Sequence, residues 1–516
     1  MSSRGSARQQ IKVVDLFAGP GGLGEGFSSY KTPTGHHPFK LALSIEKDPV
    51  AHQTLQLRAF FRQFDGLDRV PIEYWDLLRG KIDVSSLFTA YPNEAEAASE
   101  EAQSFTLDPL NHAGLRTLLK KRHLNHDDET IVIGGPPCQA YSVAGRSRNG
   151  AKANWTLETD GRSTLYKEYL QVLAELQPAA FVMENVRGLL SAKMQGESVI
   201  ELILEDLEHP RVTAGLSRAG KHYRLVALAQ KPADGELALA LRPPRPTDFL
   251  IRAEEHGVPQ SRQRVIIVGL RTDLFPDASK DSRLTRDSDT LDVSWAIRKL
   301  PKLRAGISSG ADDSETVIET MRRATKQAWF VGLPSAVKDA MGQAIEKAAM
   351  KRWGRGGGFV KSTAADSRAG GFPNHETRGH MATDLHRYLF AAAWAQVEEV
   401  SPTLRNFPAG LLPDHGNVEH ALRGGQFADR FRVQCWKGPS TTIVSHISKD
   451  GHYYIHPDPA QCRSLTVREA AKLQTFPDDY LFLGPRTAQF HQVGNAVPVE
   501  LARRIAGALH RSMGCP

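Results

Sequence analysis

Cysteine is scarce in this chain, and the few residues present stand apart. Cys138, Cys435, Cys462 and Cys515 are the only four among 516 residues, and no two form a C-x-x-C pair. That spacing gives neither a disulfide framework nor a zinc site, so no metal is expected, and it points to a reducing compartment, the cytoplasm. Long apolar runs are missing too. None approaches ~18 residues, so no membrane span is expected. The opening Met-Ser-Ser-Arg-Gly-Ser-Ala-Arg-Gln-Gln carries charge but no apolar core, unlike a secretory signal. Nor does one sign of charge dominate: 65 basic residues against 58 acidic give a net charge of +7. This balance allows a polyanionic partner without demanding one. What is there is 41% hydrophobic residues, enough for a full core, in a chain too long for one ordinary domain. Two domains are expected.

The most informative stretch is residues 131–148. Ile131, Val132 and Ile133 read as a buried strand that Gly134, Gly135, Pro136 and Pro137 end abruptly. Cys138 follows at once, at the carboxyl edge of a sheet, where open α/β folds bind ligands. The segment Gly145-Arg-Ser-Arg-Asn-Gly150 then reads as a basic loop suited to closing over a polyanion. Many cysteines are inert buried hydrophobes. The rigid double proline and the basic flank favour a nucleophile here.

Residues 11–46 open the fold. Ile11 to Leu16 reads as a strand, and Gly19, Gly21 and Gly24 form G-x-G-x-x-G between that strand and a helix. Glycine lets the backbone approach a ligand, and a helix N-terminus offers free N–H groups. Leu41 to Glu46 is a second strand ending in an acid placed, 22 residues after Gly24, where a ribose-binding carboxylate is expected. A dinucleotide and an adenosyl cofactor fit this pattern equally. Further along, His52–Phe64 reads as a helix, 93–104 as a solvent-facing helix, and 116–122 as a basic helical face. Asp76 and Asp108 both remain open as adenine contacts. Leu165–Leu176 has helical spacing. Phe181–Val186 is a strand carrying Glu184, a carboxylate that is expensive to bury without a partner. Arg262 and Arg264 precede an apolar strand and alternate, so both point to one side. Residues 303–316 read as a loop. His446, Lys449, His452 and His456 have no metal-ligand spacing and suit a loop facing phosphate. Ala496–Leu509 should be a helix returning beside the first strand.

Taken together, these pieces resemble the DNA (cytosine-5)-methyltransferase family, and they occur in that family's order. They are Asp15-Leu-Phe-Ala-Gly-Pro-Gly-Gly22, Gly135-Pro-Pro-Cys-Gln139, Glu184-Asn-Val186, Gln260-Ser-Arg-Gln-Arg264, Arg463 to Asp478, and Gln492-Val-Gly-Asn-Ala-Val-Pro498. The resemblance covers residues 11–270 and 440–510. It departs from the family pattern in extra residues between the second strand and Cys138, and in a long loop after Cys138.

The resemblance implies an α/β fold, a doubly wound Rossmann-like S-adenosylmethionine-dependent methyltransferase sheet with a second, smaller target-recognition domain. Residues 1–270, completed by 485–516, would form the catalytic domain, and 271–484 the target recognition domain. The substrate would be a flipped-out cytosine in double-stranded DNA. Cys138 would attack C6 as a thiolate. Glu184, protonated, would meet N3 and the exocyclic amine, and Arg264 would hold O2, with Arg262 and Asn185 supporting the catalytic set. Asp15, Phe17, Ala18, Gly19, Gly21, Gly22, Leu23, Glu46, Pro136, Asn495 and Val497 would hold S-adenosylmethionine. A monomer acting on nucleoid DNA is expected, and a cognate restriction endonuclease fits as a partner. A nicotinamide or flavin oxidoreductase explains 11–46 but not Pro-Pro-Cys-Gln with Glu-Asn-Val. An RNA methyltransferase fits the large recognition segment less well.

Overall fold

The computed structural model describes residues 10–64, 66–124, 130–137, 165–194, 196–216, 220–229, 244–276, 283–414, 418–423, 427–449 and 451–514. An eight-stranded sheet forms the centre. Its parallel strands are β1 (Ile11–Leu16), β2 (Phe39–Glu46), β3 (Ala102–Ser104), β4 (Thr130–Gly134) and β5 (Ala180–Val186), in the order β3-β2-β1-β4-β5. β6 (Tyr223–Val226), β7 (Leu250–Arg252) and β8 (Gln263–Arg271) complete it. β8 runs antiparallel between β5 and β6, and β7 pairs with β8 off the main path. Ile131–Ile133 and Val265–Val268 are fully buried, as expected of unbroken β-branched runs covered on both faces.

Helices cover both faces. α1 (Gly22–Ser29) follows the glycine turn, and α2 (Pro49–Phe61) starts where Asp48 accepts from Val50 N and Ala51 N, with Pro49 at the first position. α3 (Ile72–Leu78), α4 (Val84–Ala90) and α5 (Pro92–Glu101) form a helical layer between α2 and β3. Its core holds Tyr74, Trp75 and Leu87 together with Ala369 of the second region. Arg79 donates to the carbonyls of Arg368 and Ala369, each at 3.0 Å. α6 (His112–Lys121), α7 (Leu165–Leu176) and α8 (Val199–Glu208) pack on the sheet face opposite α1.

In the second region, α9 (Ser314–Thr325), α10 (Ser335–Lys351) and α11 (Ala382–Glu398) share a core around Met321, Met341 and Leu385. β9 (Gly356–Lys361) and β10 (Gly371–Glu376) form an antiparallel hairpin beside them. α12 (Val467–Leu473) opens with a capping box between Thr466 and Glu469. α13 (Arg486–Asn495) follows, and then α14 (Val499–Ser512), which lies on α1 so closely that a Cβ on Gly26 would sit 2.3 Å from the Ala502 side chain.

Three expectations need correction. The helix over 93–104 stops at Glu101, because residues 102–104 pair with Ser44–Glu46 as β3; Ala98 and Glu101 are buried rather than solvated. The last helix starts at Val499 rather than Ala496, since Pro498 caps it. His452 and His456 do not face phosphate. His452 is buried against the Tyr388 hydroxyl at 2.7 Å, and His456 is buried 3.6 Å from Glu469. Among the described residues, no helix is long and apolar enough to cross a membrane.

Candidate active site

The carboxyl edge of the parallel strands gathers the chemistry, as open α/β sheets do where strand order reverses. β1 runs into the turn Phe17–Gly21. Phe17 (φ 55°), Gly19 (φ 58°) and Gly21 (φ 98°) all adopt the left-handed region there. Glycine does so freely. Phe17 does so at a cost, held against the core by its half-buried ring. Gly19 N donates to Glu46 Oε2 at 2.8 Å, and Asp48 N to Glu46 Oε1 at 2.7 Å. Glu46 therefore ties the ends of β1 and β2 together. Beyond Gly19 the space is open, with no atom within 4 Å of where a Cβ would stand. Ala18 and Leu23 bury their side chains, so each can offer a ligand only its backbone.

Asp15 lies behind the turn, 1% exposed, with neither carboxylate oxygen hydrogen-bonded among the described residues. Burial pushes its carboxyl up to about 8 against the pull of Arg62. Of the two aspartates left open by the sequence, Asp108 stands just beyond β3, where Phe105 N donates to Glu46 O at 3.2 Å. Asp108 caps a tight turn through Leu110 N and Asn111 N. Asp76 sits on α3, paired with Arg79 and Lys81 at 2.8 and 2.9 Å.

β4 ends against the Glu184 carboxylate. A Cβ on Gly135 would stand 2.9 Å from Glu184 Oε2, so only glycine lets the backbone pass this close. Glu184 Oε1 faces Arg264 Nε at 2.7 Å, with both side chains about nine-tenths covered. The pairing register explains this: antiparallel β8 places Arg264 opposite Val186 and Ile266 opposite Glu184. Burial lowers the Arg264 guanidinium pKa, and Glu184 partly restores it. Asn185 Nδ2 donates to Pro136 O at 3.4 Å, so Asn185 holds the turn that leads to Cys138. Cys138 itself, with the loop 139–150, lies outside the described residues.

Arg262 points inward beside Arg264, and among the described residues its side chain meets no carboxylate at bonding distance. Its Nη1 donates to Ile443 O at 2.7 Å and its Nη2 to Ala496 O at 2.9 Å. Burial and then Arg264 press its pKa well below the usual arginine value. The segment 495–497 closes the site from the far end of the chain. Asn495 is exposed, while a Cβ on Gly22 would meet Val497 O at 2.5 Å. Two contributors are not legible as site residues in the sequence. Tyr480 donates its hydroxyl to Pro20 O, bracing the glycine turn. Gln474, in the quoted Arg463–Asp478 motif, contacts Gln260; the motif is the signal, but nothing in it reveals that pairing.

A family model described as C-5 cytosine-specific DNA methylase matches residues 111–209 and 249–511. The type II methyltransferase M.Bpa9945I of Bacillus paralicheniformis is 33% identical over 518 residues, covering 96% of this chain and 98% of its own. The DNA (cytosine-5-)-methyltransferase M.ApeKI of Aeropyrum pernix is 27% identical over 423 residues, covering 74% of this chain and 81% of its own. A solved structure described as a DNA modification methyltransferase encoded within an E. coli prophage aligns with 98% of this chain and 100% of its own, at 18% identity and a TM-score of 0.48.

Proposed function

The chain belongs to the C-5 cytosine-specific DNA methylase family, and from that premise we propose how its own residues carry the reaction. It is a type II DNA (cytosine-5)-methyltransferase of the restriction–modification kind. The observation that carries the assignment of roles is the meeting of Glu184, Arg264 and Gly135 at one sheet edge, beside the glycine turn.

A stacked cytosine exposes neither face of C6, so the base must leave the duplex. Its ring enters between Glu184 and Arg264, which separate to receive it. Arg264 takes O2, and Glu184 takes N3 and the exocyclic amine. Both contacts draw electron density out of the ring and open C6 to attack by the Cys138 thiolate. A bond from sulfur to C6 leaves C5 nucleophilic. After C5 is alkylated, a base removes its proton and the electron pair returns to expel Cys138. Asn185 keeps Pro136, and so the approach to Cys138, in place. Arg262 acts on the site by holding the backbone around it.

The family uses S-adenosylmethionine as methyl donor, and when bound it supplies an electrophilic methyl group. The residues fit it: an open space over Gly19, a carboxylate at Glu46 and an exposed amide at Asn495. Phe17–Leu23, Glu46, Pro136, Asn495 and Val497 would hold it, with Asp15 beneath the turn and Asp108, rather than Asp76, on the adenine side. Residues 1–270 with 485–516 form the catalytic part and 271–484 the recognition part. The enzyme acts as a monomer on nucleoid DNA in the cytoplasm, opposite an endonuclease that cuts the same site.

Trapping tests the mechanism. On DNA carrying 5-fluorocytosine, Cys138 can attack and C5 can be methylated, but the last elimination would have to release fluorine as a cation. A protein–DNA band that survives SDS and heat is expected. It should need S-adenosylmethionine, vanish in Cys138→Ala and fall sharply in Glu184→Gln. Turnover of the fluorinated site without trapping would overturn the roles of Cys138, Glu184 and Arg264.

A further inference from the structure

A ring of buried hydrogen bonds joins four chain segments, and two of its members, Gln260 and Gln474, have no part in the chemistry above. Ile443 N donates to Gln260 Oε1 at 2.8 Å, and Gln260 Nε2 donates to Gln474 Oε1 at 3.1 Å. Gln474 Nε2 donates to Val493 O at 2.7 Å and to Ala496 O at 3.3 Å. Arg262 closes the ring by bridging Ala496 O and Ile443 O. Gln260, Gln474 and Arg262 are at most 2% exposed. Each amide uses its oxygen and its nitrogen in one fixed sense, so neither can flip without stranding a donor in a dry interior.

Three of these segments lead to different parts of the site. Residues 440–445 belong to the recognition part, and Ser440–Thr441 pair with Gln260–Ser261. Residues 260–264 lead to Arg264. Residues 493–497 press on the glycine turn at Gly22, and a Cβ on Gly494 would lie 2.3 Å from Ser445 N. There is no slack at either contact. A shift of 440–445 must move 493–497, because packed interiors pass displacement on rather than absorb it.

We propose that Gln260 and Gln474 are positioning residues that couple DNA to cofactor: DNA held by the recognition region fixes Ile443, and the amide pair carries that register to Ala496 and Val497. The proposal rests on the assignment of the cofactor to the glycine turn. The ligand that binds first fixes the ring, and the second meets a site already ordered. The coupling is reciprocal.

S-Adenosylhomocysteine, which cannot react, is the probe. Its Kd is measured calorimetrically on the full chain, with and without an unmethylated duplex carrying the site found by bisulfite sequencing. DNA should tighten it about fivefold or more in the wild type. In Gln260→Met and Gln474→Met the DNA-free Kd should change little, while the ratio falls below about twofold. A merely structural role would lower Tm and leave the ratio alone. If both variants fail to fold, Thr442→Val, which removes the 2.6 Å bond to Ser261 O at the same seam, should lower the ratio without unfolding the chain. A folded variant with the wild-type ratio, or a wild-type ratio near one, overturns the coupling. Absence of any S-adenosylhomocysteine binding to the wild type strikes the cofactor assignment instead.

Discussion

Two of the arginine–glutamate pairs buried in this molecule differ in how fully they are bonded. Arg463 and Glu469 are 0% and 1% exposed, and they meet in two bonds of 2.7 Å each. Arg463 also donates to Leu303 O, Ser464 O and Gln461 Oε1. Burial alone would raise the Glu469 carboxyl, yet Arg463 holds it below the ordinary range. Arg264 and Glu184 share one short contact, and the remaining Glu184 oxygen faces the bare backbone of Gly135. The first pair uses every guanidinium N–H, whereas among the described residues the second leaves one carboxylate oxygen without a hydrogen bond. Full bonding marks the first pair as structural, and spare capacity at a sheet edge marks the second as the candidate site.

The sharpest way to break this comparison is at the site. Glu184→Gln should lower kcat about 10²- to 10⁴-fold, while urea unfolding stays close to wild type. A stability loss as large as the activity loss would make the pair structural. Arg463→Met should do the reverse. It strands a buried carboxylate and should cost about 3–5 kcal/mol in urea unfolding, and Arg463→Met with Glu469→Leu should recover part of that.

Asp15 extends the comparison to a buried acid with no cation bonded to it. Its pKa is higher folded than unfolded, so the folded state binds the proton more tightly. Stability is then present at low pH and lost as pH rises from the unfolded value of 3.8 through about 8. Asp15→Asn should leave the pH 4 stability almost unchanged and gain on the order of a few kcal/mol by pH 9. Equal curves would show that Asp15 is charged and solvated by a bound ligand or water. Buried histidines run the other way. Burial pushes His375 down to about 4 and His456 to about 3. Their folded pKa values lie below the unfolded 6.5, so stability should fall as pH drops from 6.5 towards 4, read as Tm against pH. The smallest effect belongs to the helical layer. Arg79→Ala, which loses a partly exposed pair with Asp76 and two bonds to the carbonyls of Arg368 and Ala369, should lower Tm only slightly and leave activity unchanged.

The crevice was readable because its residues are local. Gly19 to Gly22, Gly135 to Pro137 and Glu184 to Val186 each occupy one turn or one strand end, where chemistry and spacing coincide. Gln260 and Gln474 are 214 residues apart, and only folding brings them together. The histidines at 452 and 456 depart from expectation because His and Lys at short spacing suit a wet loop as well as a dry core. β3 departs for a related reason: Ala-Gln-Ser has helical propensity until β2 offers it a ladder. Residues 305–462 form a core largely of Ala, Leu and Met on helices, a pattern that declares burial but no function.

The packing of α14 on α1 also sets a clock. α1 leaves the ribosome early, while the helix that covers it is made 470 residues later, from Ser29 to Val499. At about 5–20 residues per second, the glycine turn waits about half a minute to a minute and a half for Val497 to reach Gly22. Throughout that time the nascent chain has no cover over α1 and the glycine turn. A translation product interrupted before Val499 should therefore be inactive, however well its first half has folded.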